Sequence, residues 1–239
     1  MYTYGGNYAN TRYTKSNKIS TANVKSLAPR WVVQTGGPIG SLENTPVVVD
    51  GMMYISTPFA NVIAVDARTG QKLWRYDHKQ SASPIICCGP NNRGVAVAYG
   101  KVFVATLDAH LVALDQRTGK VVWDTEVDDP TAGYSLTIAP QVYKGKVIIG
   151  NSGAEYGVRG FVDAYNADNG QRAWRFWTIP DTGWEGKWAA TTPEGEKLNR
   201  ELNKEKADFA KYGDSWQRGG GSTWTTPAID PETDTIFIV

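Results

Sequence analysis

The tryptophans of this chain recur at a fixed interval, and that interval limits the folds open to it. Residues 64–74 (AVDARTGQKLW), 113–123 (ALDQRTGKVVW) and 164–174 (AYNADNGQRAW) align, with their closing tryptophans 49 and 51 residues apart. Each segment reads as a strand, a turn opened by Asp or Asn and containing a Gly that tolerates positive φ, and a second strand carrying the Trp. Another hairpin precedes each of them, over residues 46–55, 95–104 and 139–149. Every repeat is thus predicted to be four antiparallel strands, A to D, and four strands in about fifty residues mark a β-propeller blade. The repeated Trp74, Trp123 and Trp174 are read as residues that pack one blade on the next.

The expected fold is therefore all-β, a β-propeller of four-stranded antiparallel blades. Blades end near residues 74, 123 and 174. An irregular lead-in over residues 1–30 comes before a Trp31–Val33 strand, and a partial fourth blade runs from Thr226 to Val239. About three and a half blades would leave raw sheet edges. Residues 1–239 accordingly read as the N-terminal part of a longer propeller, or as an arc that a second chain closes. Nine Trp and 25 Gly agree with a β-rich repeat. A formal net charge of +1 without a basic cluster gives no reason to expect nucleic acid as a partner. No apolar run is long enough for a transmembrane helix, and the first residues lack the apolar core of a signal peptide.

Function is expected where the repeat is broken. From the Gly of the A–B turn to the Trp of strand D takes 23 residues in the first two blades and 29 in the third. The six additional residues fall in the stretch Gly153-Ala154-Glu155-Tyr156-Gly157-Val158-Arg159-Gly160, between strands B and C. From each Trp to the next A–B turn takes 20, 26 and 22 residues, and the long passage contains Ile86-Cys87-Cys88-Gly89-Pro90-Asn91-Asn92-Arg93-Gly94. The largest insertion, residues 175–222, is again a D-to-A passage and ends in Gly219-Gly220-Gly221-Ser222, just before Thr223 and Trp224. Antiparallel alternation brings B-to-C and D-to-A connections out on one side of a blade. All three breaks therefore share a face, and loops on a rigid scaffold are where sites are built.

The residue types there suit ligand binding. Glu155, set among small residues, can offer oxygens to a hard cation, and Arg93 can clamp a carboxylate bidentately. Trp224, just after a glycine triplet, can present a flat ring. Adjacent cysteines have Cα atoms about 3.8 Å apart, below the usual disulfide range. Cys87 and Cys88 are either two reduced, buried thiols or a bonded pair in a strained ring. The two histidines, His78 and His110, sit in ordinary positions, and no zinc ligand set is visible.

In combination, Cys87-Cys88 with Asn92-Arg93-Gly94, Leu136-Thr137-Ile138-Ala139-Pro140, the Ser152–Gly160 stretch and the glycine run leading to Trp224 resemble the pyrroloquinoline quinone (PQQ)-dependent alcohol dehydrogenases. These are the methanol and ethanol dehydrogenase family of eight-bladed propellers. The resemblance implies a vicinal Cys87–Cys88 disulfide on one face of the quinone and Trp224 on the other. It implies that Glu43, Arg93, Thr137, Ser152, Gly153, Ala154 and Ser222 hold the carboxylates and carbonyls of PQQ. Glu155 would bind the metal, Ca2+ or a lanthanide. The family's second metal ligand, an asparagine, and its catalytic aspartate are expected beyond Val239, so no catalytic residue is assigned within the chain and residues 1–239 alone are expected to be inactive. The implied reaction is oxidation of a primary alcohol to an aldehyde, with electrons passed to a cytochrome c in the periplasm. A helical stripe of Leu198, Leu202 and Phe209 within residues 196–212 is read as a surface helix near the substrate mouth. Two alternatives remain: a non-catalytic propeller that binds proteins, and a half-ring that closes by homodimerisation.

Overall fold

In a computed structural model, residues 3–36, 42–81, 83–179, 188–212 and 220–239 are described. Gly219 and parts of the lead-in and of the 175–222 insertion lie outside them. The first blade consists of β1 (Val47–Val49), β2 (Met52–Thr57), β3 (Asn61–Asp66) and β4 (Lys72–Tyr76). The second consists of β5 (Ala96–Ala98), β6 (Lys101–Ala105), β7 (His110–Asp115) and β8 (Val121–Glu126). The third has β9 (Gln141–Tyr143), β10 (Lys146–Gly150), β11 (Phe161–Asn166) and β12 (Arg172–Trp177). Strand order follows chain order in each sheet and all pairs are antiparallel. A two-stranded hairpin, β13 (Ala228–Asp230) with β14 (Thr235–Phe237), begins a fourth unit. The four-stranded propeller blades expected from the repeat are present.

The sequence of the C–D turn explains how one blade seats on the next. Asp66 Oδ1 accepts from the amides of Arg68 and Thr69 and from the Thr69 hydroxyl, and Asp115 does the same with Arg117 and Thr118. These donors, led by Thr69 and Thr118, hold both carboxyls below the usual carboxylate range. The turn glycines Gly70, Gly119 and Gly170 have φ of 75°, 70° and 72°, a region that penalises any Cβ. The missing side chain also makes room, because a Cβ on Gly70, Gly119 or Gly170 would lie 2.7, 2.5 or 2.7 Å from the ring of Trp31, Trp74 or Trp123. Each indole N–H then donates over 3.1 Å to a carbonyl of that same turn, Ala67, Gln116 or Ala167. A β-bulge recurs beside Ala64, Ala113 and Ala164, each paired with the tryptophan of its own blade.

Between the docked blades lie the apolar cores. Tyr54, Val62, Val104 and Val112 fill the space between the first two sheets, and Phe103, Leu111, Ile149 and Phe161 that between the second and third. Trp74→Phe keeps most of this packing and deletes one hydrogen bond. A loss of about 1 kcal/mol is expected in urea unfolding followed by circular dichroism, against about 3–5 kcal/mol for Trp74→Ala, which also opens a cavity.

Two expectations need correction. Residues 31–33 form no strand; Trp31 and Val33 pack on Ile55, Ile63 and Val65 through side chains. A ladder needs a backbone partner, and no described strand lies alongside. The helix is shorter than its stripe, running over α1 (Leu202–Tyr212). Asn199 has φ of 52° and Leu198 donates to the Ala190 carbonyl, so the chain before Leu202 is spent on a bend and a local bridge. Phe209 reaches the ring of Trp188 edge-on at 6.1 Å. No helix among the described residues is long and apolar enough to cross a membrane.

Candidate functional site

The three breaks in the repeat do converge, around a cavity of about 310 Å³. Cys87 and Cys88 line it and are joined as a disulfide, with Cα atoms 3.8 Å apart. Their loop is set by side-chain amides: Asn91 Nδ2 donates to the Cys88 carbonyl over 2.9 Å, and buried Asn92 donates to the Ala105 carbonyl over 2.8 Å. Arg93 extends from this loop. Its amide and Nη1 both donate to the Thr137 carbonyl, Nη2 lies 3.3 Å from Glu43 Oε2, and the guanidinium sits over the Trp224 ring at 4.5 Å. Glu43 thus joins the site by holding Arg93, without lining the cavity itself.

The wall from the third blade depends on glycines. A short 3-10 turn, Ala154–Tyr156, lies between Gly153 and Gly157, both left-handed with φ of 108° and 85°. A Cβ on Gly153 would stand 2.0 Å from the Gly133 carbonyl oxygen. This close approach presents Gly153 and Glu155 to the cavity and leaves Ala154 off its lining. Beside them Thr137 Oγ1 and Ser152 Oγ are hydrogen-bonded at 2.7 Å, and the Ser152 amide donates to the Ser135 carbonyl. Ser222 and Trp224 reach the cavity because the chain around them is stitched to the third blade. Thr223 donates from its amide to the Asn151 carbonyl and from its hydroxyl to the Phe161 carbonyl, and the Gly160 amide donates to the Gly220 carbonyl. Gly150 and Gly160 permit it, since a Cβ on either would fall 1.9 Å from an atom of that strap.

The cavity therefore offers one guanidinium, hydroxyls from Ser135, Thr137, Ser152 and Ser222, one carboxylate, a disulfide wall and an indole. A planar polycarboxylate fits this donor set, with charge toward Arg93 and flat surface toward Trp224. Sequence reasoning missed Ile86, Gly89, Asn91 and Ser135 on the lining. Ser135 carried one usable signal, the period-two spacing from Thr137.

The family of glucose/ethanol/alcohol dehydrogenase β-propeller domains that use PQQ matches residues 2–239. The chain belongs to this family. A quinohemoprotein alcohol dehydrogenase of Pseudomonas putida is 44% identical over 238 residues, which cover 98% of this chain and 33% of that protein. A lanthanide-dependent methanol dehydrogenase of Methylorubrum extorquens is 37% identical over 96% of this chain and 38% of its own length. The crystal structure of the quinohemoprotein alcohol dehydrogenase of Comamonas testosteroni superposes with a TM-score of 0.78 at 38% identity, covering 99% of this chain and 34% of that one. The chain thus spans about a third of the length of these relatives. Within the family frame Glu155 is the carboxylate that reaches the cavity, and among the described residues no cluster of three or more His, Cys, Asp or Glu is placed to hold a metal.

Proposed function

We propose that these blades form the cofactor-holding arc of a periplasmic quinoprotein that oxidises a primary alcohol to an aldehyde and passes the electrons to a cytochrome c. The observation that carries the proposal is the single cavity in which the Cys87–Cys88 disulfide, Arg93, Glu155 and Trp224 meet. PQQ, when bound, supplies an electrophilic quinone able to take two electrons from an alcohol.

The roles of the chain's own residues follow from their chemistry. Arg93 meets a carboxylate with a fork of two parallel donors, and Glu43 keeps that fork oriented. Thr137, Ser152 and Ser222 donate or accept hydrogen bonds at the ligand's rim, and Gly153 lets backbone approach it. The disulfide and Trp224 exclude water from flat surfaces. Glu155, the carboxylate on the cavity lining, would help hold Ca2+ or a lanthanide, a hard cation that favours oxygen ligands.

Titration of PQQ with Ca2+ or La3+ tests this reading. Tryptophan fluorescence is expected to quench saturably, with the response much reduced in Trp224→Ala, and the reconstituted full-length protein is expected to reduce a dye acceptor with primary alcohols. Absence of saturable binding with either metal would sink it.

A further inference from the structure

The two histidines do not sit in isolation. They belong to one hydrogen-bonded chain that crosses from the first blade to the second. Tyr76 Oη and His78 Nδ1 are 2.9 Å apart, and His78 Nε2 lies 2.7 Å from Asp108 Oδ1. Asp108, fully buried in the turn between β6 and β7, also accepts from Thr106 Oγ1 at 2.6 Å, from the Ser81 amide at 2.6 Å and from Ser81 Oγ at 2.9 Å. Ser81 Oγ is 3.3 Å from His110 Nε2, and His110 Nδ1 is 2.7 Å from Asp124 Oδ1 on β8. All seven side chains belong to the first two blades and the passage between them, so the network's contacts do not depend on the two-thirds of the relatives' length that the chain does not span.

Its place in the fold connects it to the cavity. Ser81 lies six residues before Cys87, and Asn92 lies four after Cys88. Ser81 is tied to Asp108 and Asn92 to the Ala105 carbonyl. The disulfide wall is thus slung between two anchors on one turn of the second blade.

Proton counting fixes the state in which this anchor is complete. The Asp108 carboxylate accepts from His78 Nε2–H, and the Tyr76 hydroxyl can either donate to or accept from His78 Nδ1. The single hydroxyl hydrogen of Ser81 is committed to Asp108. Its oxygen can therefore only accept from His110 Nε2–H, while His110 Nδ1–H is committed to Asp124. Both nitrogens of His110 must carry protons for every contact to be a hydrogen bond. The charged or titratable groups facing it are Asp124 and Glu126 of β8, Asp108 of the turn, and His78 just past β4. The hydrogen bond to Asp124 comes first, and with the charges of Asp124, Asp108 and Glu126 it outweighs burial and raises the His110 pKa above its ordinary value. A raised folded-state pKa means that this contribution is full below the unfolded value and is lost as pH rises through the folded one.

We propose that the Ser81–His110–Asp108 contact is a proton-linked positioning device that holds the disulfide-bearing wall of the cavity in place while His110 is doubly protonated, and loosens it when His110 is neutral. Its relevance to a quinone rests on the proposed function; the anchor itself does not.

The test measures reduction of Cys87–Cys88 by tris(2-carboxyethyl)phosphine in the cofactor-free full-length protein, read by thiol alkylation and mass spectrometry from pH 6 to pH 9. Dividing the wild-type rate by that of Ser81→Ala at each pH cancels the reagent's own pH dependence, and exposed Ser81 tolerates the change. The ratio is expected to rise roughly three- to tenfold across the range, the population shift that one net hydrogen bond commands. His110→Gln, divided in the same way, is expected to stay flat. A flat wild-type ratio, an equal rise in His110→Gln, or no reducible disulfide overturns the proposal. Wild-type affinity for PQQ is expected to weaken over the same window and that of Ser81→Ala to lack this step. If the disulfide ratio responds while PQQ binds at no pH, the anchor stands and the proposed function falls.

Discussion

Arg175→Met is expected to cost about 3–5 kcal/mol of unfolding free energy, because it strips the cation from a carboxylate that no water reaches. Arg175 grips buried Asp163 bidentately, Nε to Oδ1 at 2.7 Å and Nη2 to Oδ2 at 2.8 Å. It also reaches back to the second blade, to Asp128 Oδ2 at 2.7 Å and the Val127 carbonyl at 3.1 Å. Its guanidinium lies 3.7 Å from the Phe161 ring centroid. Burial works against the charge, but Asp163 and Asp128 more than restore it and push the Arg175 pKa above its usual value. Tyr165 donates its hydroxyl to Asp163 Oδ2, and burial followed by that carboxylate's charge raises its own pKa. Urea unfolding of the protein carrying these blades measures the loss. The double variant Arg175→Met with Asp163→Leu is expected to recover much of it, since removing both charges also removes the desolvation they require. A single-variant loss below about 1 kcal/mol would mean that water reaches Asp163 after all.

Arg93→Ala is expected to weaken PQQ binding by roughly thirtyfold to several-thousandfold, the cost of removing one partner from a desolvated, hydrogen-bonded charge pair. Arg93 is held on several sides, by the Thr137 carbonyl, by Glu43 and by the Trp224 ring, so little ordering remains to be done when a carboxylate arrives. Lys at this position restores the charge without the planar fork, and Arg93→Lys is expected to recover only a minor part of the affinity. Fluorescence quenching titrations of wild type and both variants decide the matter. An affinity for Arg93→Ala within threefold of wild type would place the ligand's anionic end elsewhere.

Much of this was legible in the residues themselves. The Trp spacing, the Asp-to-Gly turns and the hairpins upstream announced the blades, because each is a short-range feature whose residues must satisfy backbone geometry locally. The breaks in that period located the cavity. Of the residues expected there, Cys87, Cys88, Arg93, Thr137, Ser152, Gly153, Glu155, Ser222 and Trp224 line it, while Glu43 stands behind Arg93 and Ala154 off the lining. Spacing from Thr137 hints at Ser135 but not at its bridge to Ser152, and nothing in the count shows that Asn91 joins them through the amide that pins Cys88.

What the sequence alone determined was the repeat, the packing of Trp74 and Trp123 between blades, and the face on which the insertions emerge; Trp174, expected to pack in the same way, is exposed. All three follow from covalent spacing and from the conformations that glycine permits. The tertiary structure alone decided that His78, Asp108, Ser81 and His110 form one chain, that Arg175 joins two blades, and that residues 31–33 dock without a strand ladder. Those contacts bring together residues remote in sequence, and their protonation and burial exist only once one blade has closed on another and excluded water between them.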